Sequence, residues 1–132
     1  MSNDLDNQMD SDVLAATLQT GLQESQDLLE FLALKFEGPL AHLITVRRKG
    51  GFLSKARTVE EITLRFEDYH FQIVREPRGT VSAKILKLVR GIVLRTNVVD
   101  VDVWIRELVQ ELTRQAEHSV AFRSALSRFI LG

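Results

Sequence analysis

The clearest structural pattern in the sequence is EITLRFEDYHFQIVRE, residues 61–76. Apolar and polar residues alternate on both sides of Glu67-Asp68, and this period of two is typical of β-strands with one buried face. A two-residue loop at Glu67-Asp68 predicts three facing apolar pairs: Ile62 with Ile73, Leu64 with Phe71, and Phe66 with Tyr69. A shift of one residue would move every apolar side chain to the other face, so the pattern predicts the register as well as the hairpin.

Further strands are predicted on both sides of this hairpin. Pro77-Arg78-Gly79 has the residues of a tight turn, and it brings Ala83 opposite Ile73. The segment AKILKLVRGIVLRT, residues 83–96, then favours one long strand in which Gly91 marks a bulge, although Ile85, Leu88, Val89 and Ile92 also fit helical spacing. An earlier strand is expected within residues 42–48, and the result is an antiparallel meander of about four strands.

Helical spacing of apolar residues precedes and follows the strands. Residues 12–36 carry leucines at intervals of three, four and seven, and residues 100–131 carry two apolar stripes that Ser119 separates. We therefore predict an α+β fold with an N-terminal helix and one or two C-terminal helices. The expected organisation is a disordered acidic tail over residues 1–10 and a single α+β domain over residues 11–132.

Composition excludes several classes of protein. The chain has 132 residues, no cysteine and a formal net charge of -1. The lack of cysteine excludes disulfide frameworks, thiol catalysis and cysteine-based metal sites, and the balanced charge excludes a generically basic nucleic-acid binder. The sequence shows neither a secretory signal nor an apolar run long enough to span a bilayer, so we expect a cytoplasmic protein with no membrane partner.

No motif for catalysis is present. The three histidines, His42, His70 and His118, lie far apart in sequence, and no glycine-rich phosphate loop or nucleophile elbow occurs. The neighbouring acids Glu67-Asp68 fall in a predicted turn, a position that already accounts for them. We expect no catalytic residue, no cofactor and no metal site, and enzyme activity is unsupported.

The predicted register instead indicates a protein-interaction role. On the sheet face opposite the predicted core, apolar side chains stand beside polar ones, and apolar surface of this kind often marks an association site. The residues predicted to form this partner interface are Arg65, His70, Val74, Leu86 and Leu88. We predict a non-enzymatic interaction or accessory module that works as a homodimer, or by docking a protein partner on a sheet face or edge.

Two alternatives remain open. Residues 47–95 carry twelve basic and five acidic residues, whereas residues 1–46 carry one basic and eight acidic residues. The basic cluster Arg47, Arg48, Lys49, Lys55 and Arg57 could bind an anionic partner such as nucleic acid by contacting phosphates. The second alternative is a small enzyme acting on an anionic ligand, in a pocket lined by basic side chains and His70.

Overall fold

The computed structural model describes residues 11–20, 27–50 and 58–131. Residues 11–20 form a first helix, α1, and the remaining helices are α2 (Leu28–Phe36), α3 (Val101–His118) and α4 (Val120–Leu131). The strands are β1 (Ile44–Arg48), β2 (Val59–Arg65), β3 (Tyr69–Arg75), β4 (Val81–Val89) and β5 (Ile92–Val99), and a short 3-10 helix (Ala41–Leu43) precedes β1. The predicted α+β class is confirmed. The predicted tail, residues 1–10, lies outside the described residues.

The strands form one antiparallel sheet in the order β1-β2-β3-β4-β5. The central hairpin has the predicted register, since Ile62 lies opposite Ile73 and Leu64 opposite Phe71. The Phe66 N–H donates to the Tyr69 carbonyl over 2.9 Å and closes the two-residue loop. The next turn also agrees with the prediction, because Ala83 lies opposite Ile73 and Gly79 has a φ of 89°.

Residues 83–96 do not form the single strand that we predicted. The chain reverses at Arg90-Gly91, where both residues have positive φ, 53° and 79°, so that β4 and β5 are two strands of a hairpin. Two positive φ values in succession are typical of the two-residue turn that best fits twisted strands. The bulge lies in β5 instead, because Lys87 pairs with Arg95 while Leu88 pairs with Val93, and Leu94 is the extra residue.

The helices cover one face of the sheet, which we call the inner face. Helix α2 packs against β1 and β2, and α3 packs against β4. Trp104 of α3 is fully buried, its ring lies 6.1 Å from that of Phe71, and its indole N–H donates to the Lys84 carbonyl over 3.2 Å. The core members on the inner face include Ile62, Leu64, Phe71, Ile73 and Ala83.

Helix α2 is tied to the sheet by a polar network at its first turn. Asp27 accepts the backbone N–H groups of Leu29 and Glu30, as a helix N-cap does. The Arg75 guanidinium donates to both carboxylate oxygens of Asp27 over 2.8 Å, and its Nε donates to the Val59 carbonyl. Partial burial acts to raise the pKa of Asp27, but the hydrogen bonds and charge of Arg75, together with the two N–H groups, hold that pKa below its ordinary value.

Candidate protein-docking surface

The face of the sheet opposite the helices, here called the outer face, carries all five residues predicted to form a partner interface. Arg65, His70 and Leu86 lie in one row across β2, β3 and β4. Val74 lies on the same face, because it follows His70 by four residues along β3, and Leu88 follows Leu86 by two. The pairing therefore brings the predicted residues together on one side of the sheet.

The exposure of these five residues varies, from the exposed Arg65 to the buried Leu88. Leu88 is only 5% exposed, although it is not part of the core beneath the helices. Val74 and Leu86 are half-buried, and Arg65 donates a hydrogen bond to the Thr45 hydroxyl. These side chains already have neighbours within the chain, so they offer a partner little apolar surface by themselves.

His70 lies half-buried in the centre of the outer face. Burial lowers the pKa of His70, and the positive charge of Arg65 lowers it further. The imidazole is therefore neutral near pH 7, since even its ordinary pKa is 6.5. Because the ring beside Leu86 is neutral, His70 adds no positive charge to this part of the outer face.

The largest exposed apolar surface in the sheet lies on β5, which the sequence analysis did not select. All residues from Ile92 to Val98 are exposed, including Ile92 at 66%, Leu94 at 62% and Val98 at 70%. Two signals could have identified it. A strand over residues 83–96 is far longer than the usual five or six residues, and Gly91 lies between two apolar runs, as the glycine of a hairpin turn does.

The backbone of β5 is open as well. It is the last strand of the sheet, and none of the described residues pairs with its free side. Strands with an unpaired row of N–H and C=O groups readily accept another strand, and proteins usually protect them with charge or cover them. We call the segment Ile92–Val99, with its free backbone and exposed side chains, the β5 edge.

Two residues of the predicted anion-binding cluster, Arg47 and Arg48, form ion pairs within the chain. Arg47 lies 2.9 Å from a carboxylate oxygen of Glu60, and Arg48 lies 3.6 Å from Glu30. Lys49 is exposed, while Lys55 and Arg57 lie outside the described residues. Both arginines therefore have acidic neighbours, and the anion-binding alternative stays a prediction.

His70 does not line the cleft that lies between α2 and α4. This cleft of about 370 Å³ contains Lys35 and Arg128, but it lies on the helix side of the sheet, whereas His70 lies on the outer face. Within residues 11–20, 27–50 and 58–131, no group of three acidic or histidine side chains could hold a metal ion. No helix in that part of the chain has both the length and the apolar character needed to cross a bilayer.

Comparison with known proteins gives no relative on which to base a function. No protein-family model matches the chain, and searches of curated proteins and of solved structures find no match either.

Proposed function

We propose that the protein is a non-enzymatic interaction module that self-associates through the β5 edge. The occupant of the edge is β5 of a second copy, so that two five-stranded sheets join into one. The observation that carries this proposal is the exposure of seven consecutive residues, Ile92 to Val98, on an unpaired edge strand. A row of free backbone groups and a set of apolar side chains occur together at this edge, and strand addition uses both.

The apolar side chains supply the driving force. Burial of apolar surface stabilises association by about 25 cal/mol per Å², and the β5 edge exposes more than half of Ile92, Leu94 and Val98. The half-buried Leu86 lies in the neighbouring strand, directly opposite Thr96, and it extends the apolar surface onto the outer face. The outer face therefore contributes as the flank of the edge, and the edge itself is the principal contact.

A second copy fits the edge better than an unrelated strand for a reason of symmetry. Most soluble homo-oligomers close about a two-fold axis, in which one patch pairs with itself. An antiparallel pair of identical strands has this symmetry by construction. The bulge at Leu94 shortens the regular part of the strand to Arg95–Val99, and five residues are enough for a small interface.

Sedimentation of the purified chain tests the proposal. The test variant is Val98→Lys, and the matched control is Val120→Lys on α4, since the two valines are 70% and 75% exposed. We expect the unmodified chain to change from monomer to dimer with increasing concentration. Val98→Lys should weaken this association at least about tenfold, which corresponds to 1.4 kcal/mol, whereas Val120→Lys should leave it unchanged.

A strictly monomeric chain at high concentration would refute self-association. Equal behaviour of Val98→Lys and Val120→Lys in a chain that does dimerise would refute the β5 edge as the contact. A third variant, Leu86→Glu, separates the edge from the outer face, because Leu86 is half-buried in β4. We expect it to weaken the dimer less than Val98→Lys does, and the reverse order would place the contact on the outer face.

A further inference from the structure

The two ends of β5 carry opposite charges. Arg90 lies in the turn before the strand, and Asp100 and Asp102 follow its end, where α3 begins. All three residues are exposed. Within the part of the chain that the structure describes, none of them forms an ion pair. The residue before the edge is therefore positive, and the residues that follow its end are negative.

Antiparallel pairing of two copies brings these ends together. When identical strands run in opposite directions, the beginning of one lies beside the end of the other. We propose that the second copy binds about a two-fold axis at Asn97, with Arg90 of each copy beside the Asp100-to-Asp102 segment of the other. This inference rests on the self-association proposed above and assigns its register and its charge contacts.

The faces of the strand restrict the possible registers. Side chains that lie opposite each other in a sheet point to the same face. The two-fold axis must therefore lie midway between one residue and the same residue of the second copy, which lies directly opposite it. In the regular part of β5, the central choices are Arg95, Thr96 and Asn97. An axis at Arg95 would place two guanidinium groups opposite each other, and like charges in this position are destabilising.

The bulge decides between the two remaining registers. An axis at Thr96 would place Val98 opposite Leu94, the extra residue of the bulge, where regular pairing is interrupted. An axis at Asn97 pairs Arg95–Val99 of one copy with the same five regular residues of the other. The two Asn97 side chains then face each other, and an amide both donates and accepts hydrogen bonds.

The Asn97 register also improves the charge contacts. Arg95 of one copy lies opposite Val99 of the second copy, next to its Asp100. The Arg90 turn extends toward the start of the second copy's α3, where Asp102 lies in the first turn. Each copy contributes both positive and negative side chains, so the same charge contacts form twice, once on each side of the two-fold axis. These contacts favour antiparallel self-pairing over docking of a strand that lacks acids at its end.

Single cysteine variants test the register cleanly, because the chain has no cysteine of its own. Opposed residues in an antiparallel pair have Cβ atoms about 4.5–5.5 Å apart, close to the separation in a disulfide. Under mild oxidation we expect Asn97→Cys to form a covalent dimer. The matched variants Thr96→Cys and Val98→Cys should each remain uncrosslinked alone, and the two mixed together should crosslink.

Charge exchange tests the contacts at the strand ends. Arg90→Glu and Asp102→Arg should each weaken the dimer about five- to tenfold, since each creates two repulsive contacts of surface-pair strength. The combined Arg90→Glu, Asp102→Arg variant should recover most of the loss. Arg128→Glu, a charge reversal at an exposed site on α4, is the control and should have no effect.

Sedimentation of the same variants under reducing conditions separates the two proposals. If the reduced chain is a dimer but Asn97→Cys does not crosslink, self-association stands and the register is wrong. Crosslinking of Thr96→Cys alone would establish the neighbouring register instead. Failure of the double charge exchange to restore the dimer would refute the contacts between Arg90 and Asp102. If the reduced chain stays monomeric at every concentration, both proposals fail.

Discussion

The two edges of the sheet differ in almost every respect. At one side, β1 has five residues, and its Arg47 and Arg48 are paired with carboxylates of β2 and α2. At the other side, β5 has eight residues and leaves Ile92 to Val98 exposed. Short strands and charged side chains are known protections against edge-to-edge pairing, and β1 has both. The β5 edge has a bulge and one arginine, and its other side chains are uncharged.

This difference limits how the chain can assemble. A sheet with two open edges can add copies at both sides and grow without end, whereas a sheet with one open edge closes as a dimer. The protected β1 edge is therefore as important to the proposed function as the open β5 edge, because it stops growth after the first addition. Three experiments test this difference between the two edges, and they are given in decreasing order of the change that we expect.

The largest effect is expected at the network that holds α2 over the β1 side. Arg75→Met should lower the free energy of unfolding by about 2 kcal/mol, because it removes the hydrogen bonds to the charged Asp27 and to the Val59 carbonyl. The matched control on the open side is Arg95→Met, an exposed residue whose replacement should stay within about 0.5 kcal/mol. Urea unfolding, at a concentration where the chain is monomeric, measures both. Equal losses in the two variants would show that the β1 side owes no special stability to this network.

A second experiment removes the charge from the protected edge. Arg47→Val replaces an arginine paired with Glu60 by a strand-forming apolar residue, which should make β1 able to accept a strand. We expect species larger than a dimer, whose sedimentation coefficient continues to rise with concentration. Arg65→Val, on the interior strand β2, is the control and should still stop at the dimer. A variant at Arg47 that also stops there would show that charge is not what protects β1.

The smallest effect concerns the outer face between the two edges. The pKa of His70 is lowered in the folded chain by burial and by Arg65, so the unfolded chain binds its proton more readily. The stability contribution of neutral His70 is therefore complete above pH 6.5 and declines as the pH falls through and below that value. In the His70→Gln variant, unfolding followed between pH 7.5 and 5 should show a smaller decline. An identical pH dependence of unfolding in the unmodified chain and in His70→Gln would contradict a lowered pKa of His70.

Much of the sheet could be predicted because its central strands have one dry face. The alternation around Glu67-Asp68, combined with a two-residue loop, places Leu64 opposite Phe71 on the buried face, and the structure has that register. The break at Ser119 was also predictable, since its hydroxyl accepts the Phe122 N–H at the start of α4. These features follow from local sequence patterns, because any other arrangement would expose apolar side chains or leave backbone N–H groups without a partner.

The site was harder to predict because its strand has no dry face. Residues 92–98 are exposed on both sides, so no alternation distinguishes β5 from an extension of β4. The turn itself was obscured by Arg90, since arginine is an unusual residue at a φ of 53°, where asparagine, aspartate or glycine is expected. The exposure of β5 could be recognised only after the structure had shown that β4 and β5 are two different strands.

The order of the strands also determines when the apolar edge is formed. Each strand pairs with its neighbour in sequence, and α2 and β1 to β4 are synthesised before β5. Each pairing spans a short separation along the chain, and contacts of this kind form quickly. A growing polypeptide therefore emerges with the β1 edge before the β5 edge. This order shortens the time during which the β5 edge of an incomplete chain is available to another nascent chain.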